Sequence, residues 1–170
     1  MCQSTARRTQ TSWIDRERDF EAWLKPDQVR VKAAPYVSLA AARRGHVERV
    51  VAQLRTKGRV PRVCLYALTA GRQEPTHSLD AVRAFAERQG WQVGPGKSYT
   101  DRHGVTDLMT RPGWSYVRQQ IRSGRADGVV ALTYSVISPH QDEYERQLDW
   151  FVDHFGFIAL VTPESTAVPR

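Results

Sequence analysis

Cysteine is scarce. Cys2 and Cys64 are the only two in 170 residues, too few for a disulfide framework or a four-ligand zinc site. The five histidines, His46, His77, His103, His140 and His154, show no i, i+4 pairing, which excludes the helical two-histidine zinc arrangement. No metal or other cofactor is therefore expected. No stretch approaches the roughly 20 apolar residues that span a bilayer. Met1 to Trp13 is polar with two arginines, unlike a secretory signal. Both features predict a cytoplasmic chain without a membrane partner. Generic catalytic signatures are missing too: there is no Gly-x-Ser-x-Gly elbow. Gly94-Pro95-Gly96-Lys97-Ser98 ends like a phosphate-binding loop but has Trp91 where that motif needs its first glycine. Tyr99 to Arg102 do not start a helix behind it, so no helix N-terminus would hold a phosphate there.

What the chain does have is core material and an uneven charge. Five Trp, six Tyr and five Phe, with 41% hydrophobic residues, provide for a folded domain rather than a disordered or fibrous one. Cys64 lies in an apolar run, where a buried thiol is expected. The formal net charge is +7. Residues 1–60 hold thirteen Lys and Arg against six Asp and Glu, whereas residues 61–170 hold twelve of each. All of the excess is in front. Basic N-terminal segments neutralise phosphates, which makes Arg43, Arg44 and Arg49 candidate DNA contacts, although arginines at helical spacing also describe any solvated helix face.

Periodicity divides the chain into 1–60, a basic and partly helical extension; 61–165, an α/β domain; and a tail, 166–170. Residues 1–13 read as disordered, and Ile14 to Leu24 as a short helix stopping near Pro26. From Ser38 to Lys57, Leu39, Val47, Val50, Val51 and Leu54 recur at helical steps, with Ser38 as cap and Gly58 as stop. Beyond Pro61, the run Val63 to Leu68 reads as a buried strand. A helix follows, capped by Ser78 or Thr76, striped by Leu79, Val82, Phe85 and Ala86, and ended by Gly90. Trp91 to Val93 makes a short strand before a polar loop. Trp114, Val117 and Ile121 mark the next helix, and Val129 to Leu132 the next strand. Tyr144, Leu148, Phe151, Val152 and Phe155 mark the last helix, and Phe157 to Val161 the last strand. This alternation predicts a three-layer α/β fold, a largely parallel sheet with helices on both faces and any ligand site at the C-terminal strand ends, near Thr69 and Tyr134.

Several segments, in order, resemble the catalytic domain of the serine recombinases, the resolvase and invertase family. Val63-Cys64-Leu65-Tyr66-Ala67 is similar to the family's first strand, and Ser78-Leu79-Asp80-Ala81 to the start of its first helix. Tyr99-Thr100-Asp101, Gly104-Val105 and Arg111-Pro112-Gly113-Trp114 resemble its Tyr-x-Asp, Gly-Val and Arg-Pro-Gly run, and Gly124 to Val130 its later Gly-x-x-Asp-x-Val-Val. The resemblance covers about Arg62 to Glu164.

It implies a chemistry that the chain lacks. In the family a serine after the first strand attacks a DNA phosphate while arginines stabilise the charge, without a metal. Aligned on Tyr66-Ala67, that serine falls on Ala70 and a family arginine on Leu68. The family's later Asp and two Arg fall within Thr133 to Pro139 and are gone. Arg111 alone keeps a phosphate-binding side chain, with Arg72 a candidate to enter the vacated site. Thr69, Ser135 and Ser138 are the hydroxyls left as substitute nucleophiles, but no base or arginine cluster activates them. The reading is a catalytically degenerate relative that binds DNA, forms a homo-oligomer or binds a recombinase-like partner. One alternative is a strand-cleaving enzyme with a relocated hydroxyl. A second is a protein-interaction module without nucleic acid, using Trp114, Trp150 or the Ser38 to Lys57 helix.

Overall fold

The computed structural model describes residues 13, 35–69, 75–102 and 107–164. The expected Ile14 to Leu24 helix, residues 1–12 and the tail 166–170 lie outside them; Trp13, expected within a disordered stretch, is helical and buried. The chain divides into two compact units, Met1–Lys32 and Ala33–Arg170, and the second contains every helix and strand from Pro35 onward.

Helix α1 is Pro35–Thr56. It starts three residues before the expected Ser38 cap, at a proline whose fixed φ suits a first helical turn. Then come β1 Arg62–Thr69, α2 Thr76–Arg88, β2 Gln92–Arg102, a 3-10 turn at Leu108–Thr110, α3 Pro112–Arg122, β3 Gly128–Ala131, α4 Tyr134–Ile137, α5 Gln141–Asp153 and β4 Phe157–Leu160. The strands form one parallel sheet in the order β2-β1-β3-β4, the expected α/β class. Two details differ from expectation. Neither Thr76 nor Ser78 caps α2, which is preceded by Pro75 without a side-chain bond. And β2 is no short strand: it continues to Arg102, its pairing with β1 jumping from Val63↔Val93 to Leu65↔Ser98. The Gly94 to Lys97 excursion is thus a bulge in an edge strand, where Pro95 removes no needed ladder donor.

Alternation along β1 builds the two faces. Val63 and Leu65 join Val50, Val51 and Leu54 of α1 and Val82 and Ala86 of α2 in one core, with Trp91 and Phe157. On the other face Tyr66 meets Trp114 of α3 edge-on at 5.0 Å between ring centroids, and Trp114 meets Phe151 of α5 at 5.8 Å. Cys64, on that second face, is fully buried, and burial raises its thiol pKa to about 11 against the pull of Lys97.

The boundary expected at residue 60 is misplaced, because α1 belongs to the α/β unit. Phe157 donates its N–H to the Asp127 carbonyl on the β3 side, so the carbonyls of its neighbours Gly156 and Ile158 point to the open edge of β4. His46 Nε2 lies 2.7 Å from the Gly156 oxygen, and Arg43 Nη1 donates to the Ile158 oxygen at 3.5 Å. A helix thereby occupies an edge that would otherwise offer unpaired backbone groups. Arg43 also forks onto Glu164, Nε to Oε1 at 2.6 Å and Nη2 to Oε2 at 3.0 Å, while the Tyr144 hydroxyl donates to Oε1 at 2.6 Å. Arg43 is 5% exposed and Glu164 1%. Burial pushes the Glu164 carboxyl up, but the hydrogen bonds and charge of Arg43, with the Tyr144 hydroxyl, overcome it and hold the group below its ordinary value. Burial first, and then the Glu164 charge, raise Tyr144 well above the phenol range.

Helix ends show one departure. At Gly58, with φ +66°, α1 closes by Arg59 N–H to Leu54 O and Gly58 N–H to Arg55 O, a Schellman motif whose left-handed residue is glycine. The end of α5 makes the same pair of bonds, Gly156 N–H to Phe151 O and Phe155 N–H to Val152 O, yet its left-handed residue is Phe155, at φ +57° and 85% exposed.

These contacts have measurable consequences for stability. Arg43→Met leaves a buried, unpaired carboxylate and costs about 3–5 kcal/mol in urea denaturation. Because Glu164 is held below its unfolded value, its contribution is complete above the ordinary carboxylate range near pH ~4.3 and drains as pH falls through the lowered folded value. Glu164→Gln removes that acid-side slope, and an unchanged slope would dissociate the triad from acid stability. Phe155→Gly relieves a left-handed β-carbon and gains about 1 kcal/mol; a loss instead would mean that the exposed ring is held by contacts of its own.

Candidate functional site

The C-terminal edge of the sheet is organised by Asp101 near the end of β2. Its Oδ1 accepts from Gly113 N–H at 2.8 Å, and its Oδ2 accepts from Trp114 N–H at 2.8 Å and from the Tyr66 hydroxyl at 2.9 Å. The carboxylate, 6% exposed, caps α3 from another strand, with its charge at the positive end of the helix dipole. Pro112 stands first in α3, where a missing N–H costs nothing. Gly113 is required by proximity: a β-carbon there would come within 2.8 Å of both Asp101 Oδ2 and the Thr100 carbonyl. The Arg-Pro-Gly segment is therefore the fitting that receives this carboxylate. Burial, and then the Asp101 charge, push the Tyr66 hydroxyl above its ordinary value.

Arg111 does not face an open site. It is 5% exposed, and its Nη1 donates to the carbonyls of Val136 at 3.1 Å and Ile137 at 2.9 Å. It closes the C-terminal end of α4, whose last carbonyls lack helical partners, and its charge pulls against the raised pKa of the Tyr66 hydroxyl. Against the expectation of a phosphate ligand, the side chain is buried and its Nη1 is engaged by backbone carbonyls.

The candidate hydroxyls are equally committed. Thr69 is half-buried and donates to the Asp101 carbonyl at 3.3 Å. Ser135 is exposed and shares a 2.8 Å hydrogen bond with the Thr133 hydroxyl. Ser138 is fully buried; it donates to the Glu143 carboxylate and accepts from His140 N–H at 3.1 Å, tying down the chain as it enters α5. These contacts hold local structure, and among the described residues none of the three has a histidine ring as its hydrogen-bond partner. Ala70 and Arg72 lie outside the described residues, as do Gly104 and Val105. Arg102, which sequence reasoning passed over, pairs in register with Thr69 and is exposed at this edge.

The three arginines of the basic segment separate. Arg43 is taken up by Glu164, which corrects its expected role as a DNA contact. Arg44 and Arg49 are exposed on α1, together with Arg55 and, just beyond it, Lys57. At the opposite end of the sheet, a cleft of about 400 Å³ is lined by Arg62, Gln92, Gly94, Lys97 and Arg125. Lys97 is bonded to Gln120, and Arg62 to Asp127 and to the Gly124 carbonyl, so the Gly-Pro-Gly-Lys-Ser stretch lines a wall whose lysine is already engaged. Among the described residues no group of three or more His, Cys, Asp or Glu is placed to hold a metal, and no helix is long and apolar enough to cross a membrane.

No protein-family model and no curated protein matches the chain. Solved structures do. The C-terminal catalytic domain of ISC1926 TnpA, an IS607-like serine recombinase, is 14% identical, with a TM-score of 0.54 over 62% of this chain and 74% of that one. The N-terminal catalytic domain of TP901-1 integrase is 23% identical, with a TM-score of 0.51 over 58% of this chain and 76% of that one. The sheet and its helices are thus a serine recombinase catalytic-domain fold.

If Asp101 organises this edge, Asp101→Ala leaves two backbone donors and a phenol unpaired and costs more than about 3 kcal/mol, whereas Tyr66→Phe costs about 1 kcal/mol. Equal, small losses for both in urea denaturation would refute that role.

Proposed function

We propose that the chain is a catalytically degenerate protein of the serine recombinase fold that associates with DNA through the exposed arginines of α1. The observation carrying the first half is the state of the C-terminal edge. Arg111, the family side chain retained in the sequence, is engaged by backbone carbonyls. The position matched to the family's nucleophile is Ala70, which has no atom that can attack phosphorus. Among the described residues Thr69 and Ser135 bond only to a carbonyl and a hydroxyl, and Ser138, though bonded to the Glu143 carboxylate, is fully buried; with the surrounding arginines gone, charge building on a transferring phosphoryl group would go uncompensated.

DNA association is supported by charge placement. The excess of +7 precedes residue 61, and the α1 segment turns Arg44, Arg49, Arg55 and Lys57 outward against a single acidic residue, Glu48. Each phosphate that such a cation neutralises adds about 0.9 to the slope of log affinity against log salt. A homo-oligomer or a recombinase-like partner fits the same reading, the core then serving for assembly rather than cleavage.

The test is duplex binding by the full chain, followed by fluorescence anisotropy across a salt series. Arg44→Ala with Arg49→Ala weakens binding and lowers the salt slope by about 2; unchanged slope and affinity would remove α1 from the interface. A covalent adduct on nicked or supercoiled DNA that disappears with Ser135→Ala would overturn the claim of degeneracy and restore the strand-cleaving alternative.

A further inference from the structure

We propose that the outer face of α3 and α5 carries a phosphate-binding site built on Arg118 and Arg122. A pocket of about 290 Å³ opens there, lined by Met109, Ser115, Arg118, Gln119 and Arg122 over the floor of Trp114. The polar groups available, two guanidiniums, a hydroxyl and an amide, can all donate, so the complementary ligand is an oxyanion.

The two arginines stand four residues apart on one helical face, where like charges repel. Among the described residues neither forms an ion pair. What holds them is Trp150 of α5: the Arg118 guanidinium lies 4.3 Å from its ring centroid and that of Arg122 5.9 Å. His154 stacks on the same tryptophan at 4.0 Å. A cation–π contact uses the face of a guanidinium and leaves its edge N–H groups directed outward, the geometry that grips phosphate. Arg118 is further pinned by Nη1 on the Met109 sulfur at 2.9 Å. Its Nε is buried and has no hydrogen-bond acceptor, so the fold holds this guanidinium without fully satisfying it. Burial and the Arg122 charge together lower its pKa, and an anion would offset both effects.

This arrangement contrasts with the other arginines. Arg43 has Glu164, Arg62 has Asp127 and Arg111 has two carbonyls, so the fold elsewhere satisfies the guanidiniums that it immobilises. Here one is immobilised beside another, and among the described residues neither has an ion-pair partner. The Arg118 side chain is already ordered before a ligand arrives, which favours binding by preorganisation. The site does not depend on the α1 reading, since it shares no residue with Arg44 or Arg49. The phosphate has two possible sources, a small free anion or a nucleic-acid backbone.

The test uses the full chain, with inorganic pyrophosphate followed by thermal melting and a DNA duplex followed by anisotropy across salt. Two variants are compared with wild type: Arg122→Gln, at an exposed position, and Arg118→Lys, which keeps the charge but loses the fork. Pyrophosphate raises the wild-type melting temperature, and both variants weaken that binding about tenfold or more, as expected for lost charge-assisted hydrogen bonds. Loss of the pyrophosphate effect with duplex binding unchanged assigns a free anion. A duplex salt slope reduced by about 1 in Arg122→Gln assigns a backbone phosphate. The Arg44→Ala, Arg49→Ala variant keeps the pyrophosphate shift, so failure of the α1 reading and failure of this site are told apart. The proposal is overturned if both variants match wild type in both assays, or if wild type responds to neither probe beyond what the variants do.

Discussion

One carboxylate fixes the geometry of the sheet's C-terminal end. Asp101 arrives on β2, takes the phenol of Tyr66 from β1 and accepts the first free N–H groups of α3. Three segments distant in sequence are thereby set in one register. The N–H groups need an acceptor that water cannot supply in a buried setting, and a glycine must stand at 113 for the acceptor to come close. With α3 placed, Trp114 falls between Tyr66 and Phe151, and its ring nitrogen donates to Gln147 of α5 at 3.0 Å. The layer of α3 and α5 is thus hung from a polar contact and filled in by aromatics.

At the opposite edge of the sheet the same logic applies with other residues. A parallel sheet with β4 exposed would present a row of carbonyls, and α1 removes that liability with His46 and Arg43 before anchoring Glu164, just beyond the last strand. Arg43 therefore acts as a structural bracket, while Arg44, its neighbour, faces solvent. A buried pair of this sort adds little relative to a well-packed apolar substitute, yet breaking it from one side is costly. Its role is to define where α1 lies.

The sequence made the strand and helix order legible because strong apolar runs and helix-ending glycines recur at the right intervals. Val63 to Leu68 and Val129 to Leu132 are too short and continuous for surface helices, and Gly58 and Gly90 mark true helix ends. It could not show α1 joining the sheet, since its partner Glu164 is 121 residues away and nothing local distinguishes a buried arginine from a solvated one. Asp101 was visible as part of a family-like Tyr-x-Asp, but its function as a remote cap depends on a chain crossing that no local spacing encodes. β2 was read short because Gly94, Pro95 and Gly96 are turn residues, and only the edge position makes them tolerable inside a strand. For Arg118 and Arg122 the i, i+4 spacing was present, but the ring that collects them lies on another helix.

The comparison among arginines bears on function more directly than the total charge does. A guanidinium that donates to a carbonyl or a carboxylate has its desolvation offset within the fold, so Arg43 and Arg111 contribute to stability and offer little to a ligand. One held in place with an unpaired buried N–H and a like charge beside it raises the free energy of the unliganded protein, and proteins retain such groups where binding recovers it. By that criterion Arg111, closing α4, and Ser138, fixing the approach to α5, serve the structure of the C-terminal edge. Among the described residues, Arg118 on the face of α3 and α5 is held without such an acceptor.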